Sequence, residues 1–369
     1  MGNLPLGNFL YICTGFATYK YIIMTKIVKS PFQFGTLATK DNFIDRVEDR
    51  ALLKQLLSSH INTMLVSPRR WGKSSLVKMA MDELKAEDKS VRVCYIDGFS
   101  IGSEDEFYRV FASQVIACTS NKVERWISDA KSDKNTILQL PELLGKEKGL
   151  HIIVCIDEFQ QLANLPQYKD MEGKMRSAWQ QQEHVSYCFY GSKRTMMLEI
   201  FNNSNSPFYR FGQVIFMDKI AKEDWIPFIT SSFEKTGKKC SAEYASRICD
   251  IVECHSWYLQ QLCYFIWSYT DDEVDEESFN RGLRQTLNIN TPMFQNDTEN
   301  LSQSQIEMLR AISNGETKLS SEDVKRRYSL GNPNTITKNK LALVKRDILD
   351  NDKGILTFVD PLYRIWLKG

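Results

Sequence analysis

Histidine is scarce in this 369-residue chain, with four residues at positions 60, 151, 184 and 255. None stands with another histidine or a cysteine at zinc-finger spacing, which excludes a structural zinc module. An excess of one charge is also missing. Lys+Arg 47 against Asp+Glu 46 leave a formal net charge of +1, so the chain as a whole is not a polyanion binder and any nucleic-acid surface must be local. A disulfide framework is lacking too. The nine cysteines are scattered and several lie inside apolar runs, as in Val93-Cys94-Tyr95 and Val154-Cys155-Ile156. They read as buried free thiols in a reducing cytoplasm, the expected location. No internal repeat and no low-complexity segment is found.

A clean membrane span is absent as well. The opening MGNLPLGNFLYICTGFATYKYIIM is apolar and aromatic, but Gly2, Pro5, Gly7 and Gly15 interrupt it, and Lys20 closes it short of the ~20 apolar residues a span requires. It lacks the basic start and small-residue cleavage site of a signal peptide, and Leu6 stands where a myristoylation pattern wants Ser or Thr. Residues 1–29 are therefore expected to be an extension without membrane function. Met24 is an alternative start, with the preceding 23 residues peripheral or spurious.

What is present is enough apolar residue, 43% of the chain against 25% charged, for two or three cored domains. After Met24 short apolar runs alternate with helical spacing. Thr63–Val66, Val91–Ile96, Ile152–Ile156, Val185–Tyr190 and Val214–Met217 are the predicted parallel strands, and the alternation predicts an α/β fold with a helix-flanked sheet. Ser103 with Glu106 three residues on forms a predicted capping box ahead of Phe107, Val110, Phe111 and Val115. No strand is expected from Glu223 to Tyr269, which predicts a small helical domain. The acidic run DDEVDEE, Asp271 to Glu277, is expected to be a solvated loop or helix start. From Leu301 three short helices are predicted (Gln303–Ser313, Ser321–Tyr328, Thr335–Asp347), then two strands around Ile348 and Ile355–Val359. That is the layout of a winged helix.

The stretch SPRRWGKSS, Ser67 to Ser75, follows the first predicted strand and opens a helical stretch. A phosphate cradle needs backbone N–H groups converging at a helix N-terminus, where the helix dipole favours negative charge. In that frame Ser67, Pro68, Arg69, Arg70, Trp71, Gly72, Lys73, Ser74 and Ser75 would line the nucleotide. Gly72 permits close backbone approach, Lys73 would reach the β- and γ-phosphates, and the Ser74 hydroxyl would ligate Mg²⁺. Ser67 replaces the usual first glycine, at a cost of about 1 kcal/mol if its φ is positive. The competing reading is a chance Gly-Lys-Ser in a basic loop. Downstream, HIIVCIDE ends a buried strand in Asp157 and Glu158, two carboxylates on the ligand edge of a parallel sheet. Asp157 would hold Mg²⁺, and Glu158 would orient and polarise the attacking water. The alternative is a carboxylate pair that merely caps a strand. The extra strand Val91–Ile96 between the two motifs, with the second acid, is the pattern of the ATPase branch whose sheet order is 5-1-4-3-2.

From Ser30 to Gly369 the sequence resembles the AAA+-like archaeal-type ATPases of the STAND class. The marks are FIDRVE at 43–48, SPRRWGKSSL at 67–76, IDEFQ at 156–160, YGS at 190–192, HSWYLQQL at 255–262 and FVDPLYRIW at 358–366. The resemblance implies a P-loop NTPase core at 30–220, a helical lid at 221–290 and a C-terminal winged helix at 291–369. It implies that ATP drives a switch. Phe43 and Arg46 match the segment near the adenine. Ser192 matches the sensor of the γ-phosphate, and Arg210 in SPFYRFG matches the arginine preceding the fifth strand. His255 matches a lid position that in relatives is followed by proline, where this chain has Ser256.

Residues 301–369 carry 12 Lys+Arg against 8 Asp+Glu. Lys338, Lys340, Lys345 and Arg346 on or beside the recognition helix, with Arg326 and Arg327 on the helix before it, could contact phosphates, and Asn334, Thr335 and Asn339 could reach base edges. Aromatic residues for stacking single strands are sparse there, so duplex DNA or a protein is the expected partner. Homo-oligomer formation is left open. The activity expected is slow Mg²⁺-dependent hydrolysis of ATP to ADP and phosphate. The alternative is a non-hydrolysing, nucleotide-dependent DNA- or protein-binding regulator. A nucleotide kinase would show an arginine-rich lid, and none is evident.

Overall fold

The computed structural model describes residues 29–37, 44, 46–119, 133–352 and 354–368. The extension before Lys29 and the predicted adenine contact Phe43 lie outside the described residues. Two helices and two strands lead: α1 (Val47–Ser58), β1 (Thr63–Val66), α2 (Lys73–Glu87) and β2 (Val91–Asp97). Then follow α3 (Glu104–Thr119), α4 (Lys134–Lys148), β3 (His151–Asp157), α5 (Tyr168–Trp179), β4 (Val185–Gly191), α6 (Arg194–Asn202) and β5 (Gln213–Phe216).

The five strands form one sheet in the order β5-β1-β4-β3-β2, and every pairing is parallel. The order expected from the sequence is the order observed. A parallel sheet covered on both faces must be apolar on both, and the pleat sorts the residues by parity. Met64, Val66, Ile152, Val154 and Ile156 face one buried cluster. Leu65, Ile153 and Cys155 face the other, with α1 and α2. The first face is aromatic: Phe159 stacks on Phe189 with centroids 4.3 Å apart, and Trp179 on Tyr187 at 4.4 Å.

Strand limits other than those of β1 shift by a residue from expectation, because β2 and β3 keep pairing to Asp97 and Asp157, β4 runs on to Gly191 and β5 starts at Gln213. The capping box at α3 is half formed. The Ser103 hydroxyl accepts the Glu106 N–H at 3.2 Å, but the Glu106 carboxylate accepts from Gly102 N–H at 3.0 Å, one residue too early to close the box.

The lid comprises α7 (Lys222–Glu234), α8 (Ala242–Ile251), α9 (Ser256–Tyr269) and α10 (Glu276–Glu299). The acidic run supplies the start of α10, with Asp275 accepting the Ser278 N–H at 2.8 Å in a true capping box. Gly282 lets α9 and α10 meet, since a Cβ there would lie 2.7 Å from the Ile266 backbone nitrogen. Helix α10 is continuous through residues 290 and 291, between which the division implied by the family resemblance falls. The reason is packing: one apolar cluster holds Ile266 and Phe279 of the lid together with Phe294, Leu343 and Leu362. Beyond α10 come α11 (Gln303–Ser313), α12 (Glu322–Tyr328), α13 (Pro333–Lys345), the antiparallel pair β6 (Leu349–Asp352) and β7 (Ile355–Phe358), and α14 (Pro361–Trp366). This is the winged helix. No helix among the described residues is long and apolar enough to cross a membrane.

Candidate functional site

The loop from Ser67 to Gly72 leaves β1 and opens α2. Its left-handed residues are Arg70 (φ 65°) and Gly72 (φ 94°), not Ser67, so serine replaces glycine there without left-handed strain. Ser67 is buried and its N–H donates to Gly191 O at 3.3 Å, continuing the ladder with β4. No atom lies within 4 Å of a Cβ built on Gly72. Glycine is required there by backbone angle, at a helix start whose first N–H groups have no partner within the helix.

Five side chains converge at that helix start. The Lys73 ammonium donates to Glu158 Oε1 at 2.5 Å and lies 3.8 Å from Asp157 Oδ1. The Ser74 hydroxyl donates to Asp157 Oδ2 at 2.7 Å. Ser192, at the end of β4, donates its hydroxyl to Glu158 Oε2 at 2.7 Å and its N–H at 3.3 Å. Burial pushes the Asp157 carboxyl above the usual range, against the pull of the Lys73 ammonium and the Ser74 hydroxyl. Burial acts the same way on Glu158, but there Lys73 and the hydrogen bonds prevail and hold it below its ordinary value. A hydroxyl and a carboxylate oxygen turned toward each other suit Mg²⁺, which keeps waters and takes phosphate oxygens for its other positions.

The rest of the loop is tied down on both sides. Arg46 is buried, and its guanidinium donates to Trp71 O at 3.3 Å and Asp218 O at 3.0 Å, joining the loop to the exit of β5. The Arg69 Nε donates to the Ser192 hydroxyl at 3.4 Å. Arg70 crosses to the lid, where it sits over the Trp257 ring at 5.0 Å and donates to the Tyr258 hydroxyl at 3.3 Å. Tyr258 in turn hydrogen-bonds the Asp360 carboxylate, which caps α14 through Leu362 N–H and Tyr363 N–H. Loop, lid and winged helix therefore meet at one tyrosine.

Two cavities open beside the loop. One of about 220 Å³ is lined by Gly72, Lys73, Ser74 and Ser75, by Arg46, and by Phe34, Trp225, Trp257 and Gln260. The other, about 620 Å³, lies between Ser67–Trp71 with Ser192 and the winged-helix segment Arg346–Asp350. Pro68 and His255 line this second cavity only. His255 is buried, its Nδ1 has no hydrogen-bond partner, and burial, with Lys219 and Arg70 nearby, lowers it to about 3. It is a neutral imidazole at the larger cavity, away from the cavity that contains Arg46. The next residue, Ser256, lines the smaller cavity. Arg210 is not brought to the group. It is exposed just before β5, its guanidinium over the Tyr209 ring at 5.2 Å, at the edge where the strands begin.

A family model described as an ATPase domain predominantly from Archaea matches residues 43–262, more than half of the chain. The protein belongs to that family. A second, described as a probable winged helix domain, matches residues 292–369. No curated protein matches. Among solved structures, this archaeal-type ATPase is similar to the Walker-type ATPase paby2304 of Pyrococcus abyssi (18% identity, TM-score 0.72, covering 89% of this chain and 97% of that one). It is also similar to the ORC2 protein of Aeropyrum pernix in ADPNP-ADP complexes (12%, 0.63, 92% and 97%). The ORC1 protein of the same organism, in complex with DNA, follows at 12% and 0.52, covering 88% and 92%. These likenesses establish the fold, a P-loop ATPase core with a winged helix.

Several site residues of the archaeal-type ATPase escaped the sequence. Gln160, Trp257 and Gln260 lie within quoted motifs, yet nothing in their spacing separated them from core residues. Phe34 lies ahead of the first helix and reaches the site by packing on Trp257, Tyr264 and Phe265 of the lid. In the winged helix, Asn339 is corrected outright: it is buried and donates to the Ser304 hydroxyl at 3.1 Å, so it cannot reach a base. Thr335 is spent on the helix cap, its N–H and hydroxyl both donating to the Asn332 side-chain Oδ1. Arg326 pairs with Asp323, Arg327 with Glu316 and Asp323, and Arg346 donates to Asn300 O. Asn334, Lys338 and Lys345 stay exposed and Lys340 half-buried.

Proposed function

We propose that the protein binds ATP with Mg²⁺ across the loop, hydrolyses it slowly to ADP and phosphate, and uses the nucleotide to set the position of the winged helix. The observation that carries this is the convergence of Lys73, Ser74, Asp157, Glu158 and Ser192 at the start of α2. The base would lie in the smaller cavity, among Phe34, Trp225 and Trp257, and the phosphates would run over Gly72 toward Ser192. Ser74 and Asp157 would hold Mg²⁺, which when bound neutralises charge on the β- and γ-phosphate oxygens. Lys73 would exchange its carboxylate for phosphate. In the reaction a water oxygen forms the new bond to the γ-phosphorus, its proton passes to Glu158, and the bond from the γ-phosphorus to the bridging oxygen breaks, leaving ADP.

Lys73→Ala removes a charge-assisted contact worth on the order of 1.5–3 kcal/mol. Nucleotide affinity is expected to fall at least tenfold, read by titration with a fluorescent ATP analogue. Equal affinity in the two proteins would discard the phosphate-loop assignment.

A second reading, a regulator that binds nucleotide without hydrolysing it, is favoured by one observation: both Glu158 oxygens are engaged by protein donors. Phosphate release with and without duplex DNA separates the readings. The output module is proposed to bind duplex DNA through the exposed face of α13. The pairing of Arg326, Arg327 and Arg346 leaves about three lysines for phosphates, so a log–log salt slope of about −2 to −3 is expected. Reversing charge at Lys338, Lys340 and Lys345 should abolish duplex binding in fluorescence anisotropy and leave ATP binding intact. Absence of binding at low salt in every nucleotide state would transfer the module to a protein partner. The described cysteines are all free, in keeping with a cytoplasmic location.

A further inference from the structure

We infer that Gln160 is a positioning residue for hydrolysis, which holds one oxygen of Glu158 so that the other is the oxygen that meets water. The inference rests on Glu158 being the base.

Glu158 leaves β3 with left-handed backbone (φ 47°) and starts a short 3-10 helix, Phe159–Asn164. On that turn the Gln160 side chain folds back under the carboxylate, fully buried. Its Nε2 donates to Glu158 Oε2 at 2.5 Å, while its Oε1 is buried without a partner. The amide orientation follows from the charge. Turned over, it would set a carbonyl oxygen against a carboxylate and lose the bond. A buried carbonyl left without a donor is costly, and an aliphatic side chain of the same length would avoid that cost, so filling space does not account for a glutamine. Its carboxamide also lies against the end of β4, where a Cβ on Gly191 would come 2.0 Å from Gln160 Oε1. Only glycine at 191 leaves room for the amide.

The donors are divided unequally between the two carboxylate oxygens. Oε2 receives Gln160 Nε2, the Ser192 hydroxyl and the Ser192 N–H. Oε1 receives the Lys73 ammonium. When Lys73 turns to phosphate, Oε1 is freed and Oε2 stays fixed from two separate elements, the 3-10 turn and the end of β4. With Ser192 alone the carboxylate could swing about its last torsion, which is broad for glutamate. Gln160 removes that freedom.

The test is a double-mutant cycle on the full-length protein, with Gln160→Met as the variant that keeps length and loses the donor. Its kcat is expected to fall about tenfold while affinity for a fluorescent ATP analogue and the thermal midpoint change little, the analogue affinity by less than about twofold. In the Glu158→Gln background, adding Gln160→Met should cost nothing further, because the glutamine acts only through the glutamate. Gln160→Glu, which keeps the shape and replaces the donor by an acceptor, should lose at least as much kcat and serves if Gln160→Met does not fold. An unchanged kcat in both variants, or the same loss in both backgrounds, overturns the role. Native turnover in Glu158→Gln removes the base and this inference with it, and the cycle tells the two failures apart.

Discussion

Glu158→Gln is expected to bind ATP with native affinity and to turn it over more slowly by roughly 10²-fold or more, the usual scale for losing a general base. The amide keeps the shape of the side chain, so Ser192 can still donate to its oxygen and the 3-10 turn that follows is undisturbed. What disappears is the carboxylate that would take the proton from water. Lys73, which now shares its charge with Glu158 at 2.5 Å, loses an anionic partner and turns to phosphate at no greater cost, so binding should hold or tighten slightly. Single-turnover phosphate release, measured beside equilibrium binding of the same analogue, separates the two effects. Native phosphate release in the variant would return Glu158 to a structural role.

Phe159→Ala is expected to destabilise the ATPase core by about 3–5 kcal/mol, the range for truncating a buried aromatic. The ring is wholly buried. It stacks on Phe189, and Phe201 and Phe208 lie 5.5 and 5.6 Å away. Its neighbours on either side are Glu158 and Gln160, so the same deletion loosens the turn that presents both. Against a domain margin of about 5–15 kcal/mol, the loss is a fifth of the stability or more. Urea unfolding should show a lower midpoint, and an unchanged midpoint would mean the aromatic cluster closes over the gap.

The nucleotide edge of the sheet was legible because each part has a signature within a few residues: apolar strand, turn, Gly-Lys-Ser, or apolar strand and paired acids. The helical lid and the three helices of the winged module followed from local periodicities, and the strand order from the extra strand between the two motifs together with the second acid, the pattern of one ATPase branch. What stayed hidden depends on contacts between distant segments. Asn339 looks exposed in sequence because asparagine usually is, yet α11 covers it. Nothing in Phe34 foretells Trp257. Arg69 and Arg70 looked like parts of a loop, whereas the structure sends one to Ser192 and the other to the lid. Ser67 was weighed as a strained substitute for glycine, and the strain falls on Arg70 instead, since a turn's left-handed residue is fixed by geometry over the whole loop.

Helix α10 has 24 residues and is about 36 Å long at 1.5 Å per residue. Its first turns are locked against α9 at Gly282, and near its far end Phe294 packs on Tyr363 and Trp366 of α14. It is a beam anchored in one domain and loaded in the next, so a tilt of about ten degrees at its root carries its tip by roughly 6 Å. The beam has one weak joint, Pro292, which cannot supply the N–H its turn would use. The phosphate loop reaches it at the next residue, where the Arg70 guanidinium lies against the Met293 sulfur at 3.8 Å. A shift of that arginine is thus applied at the joint, where bending the beam takes the least force.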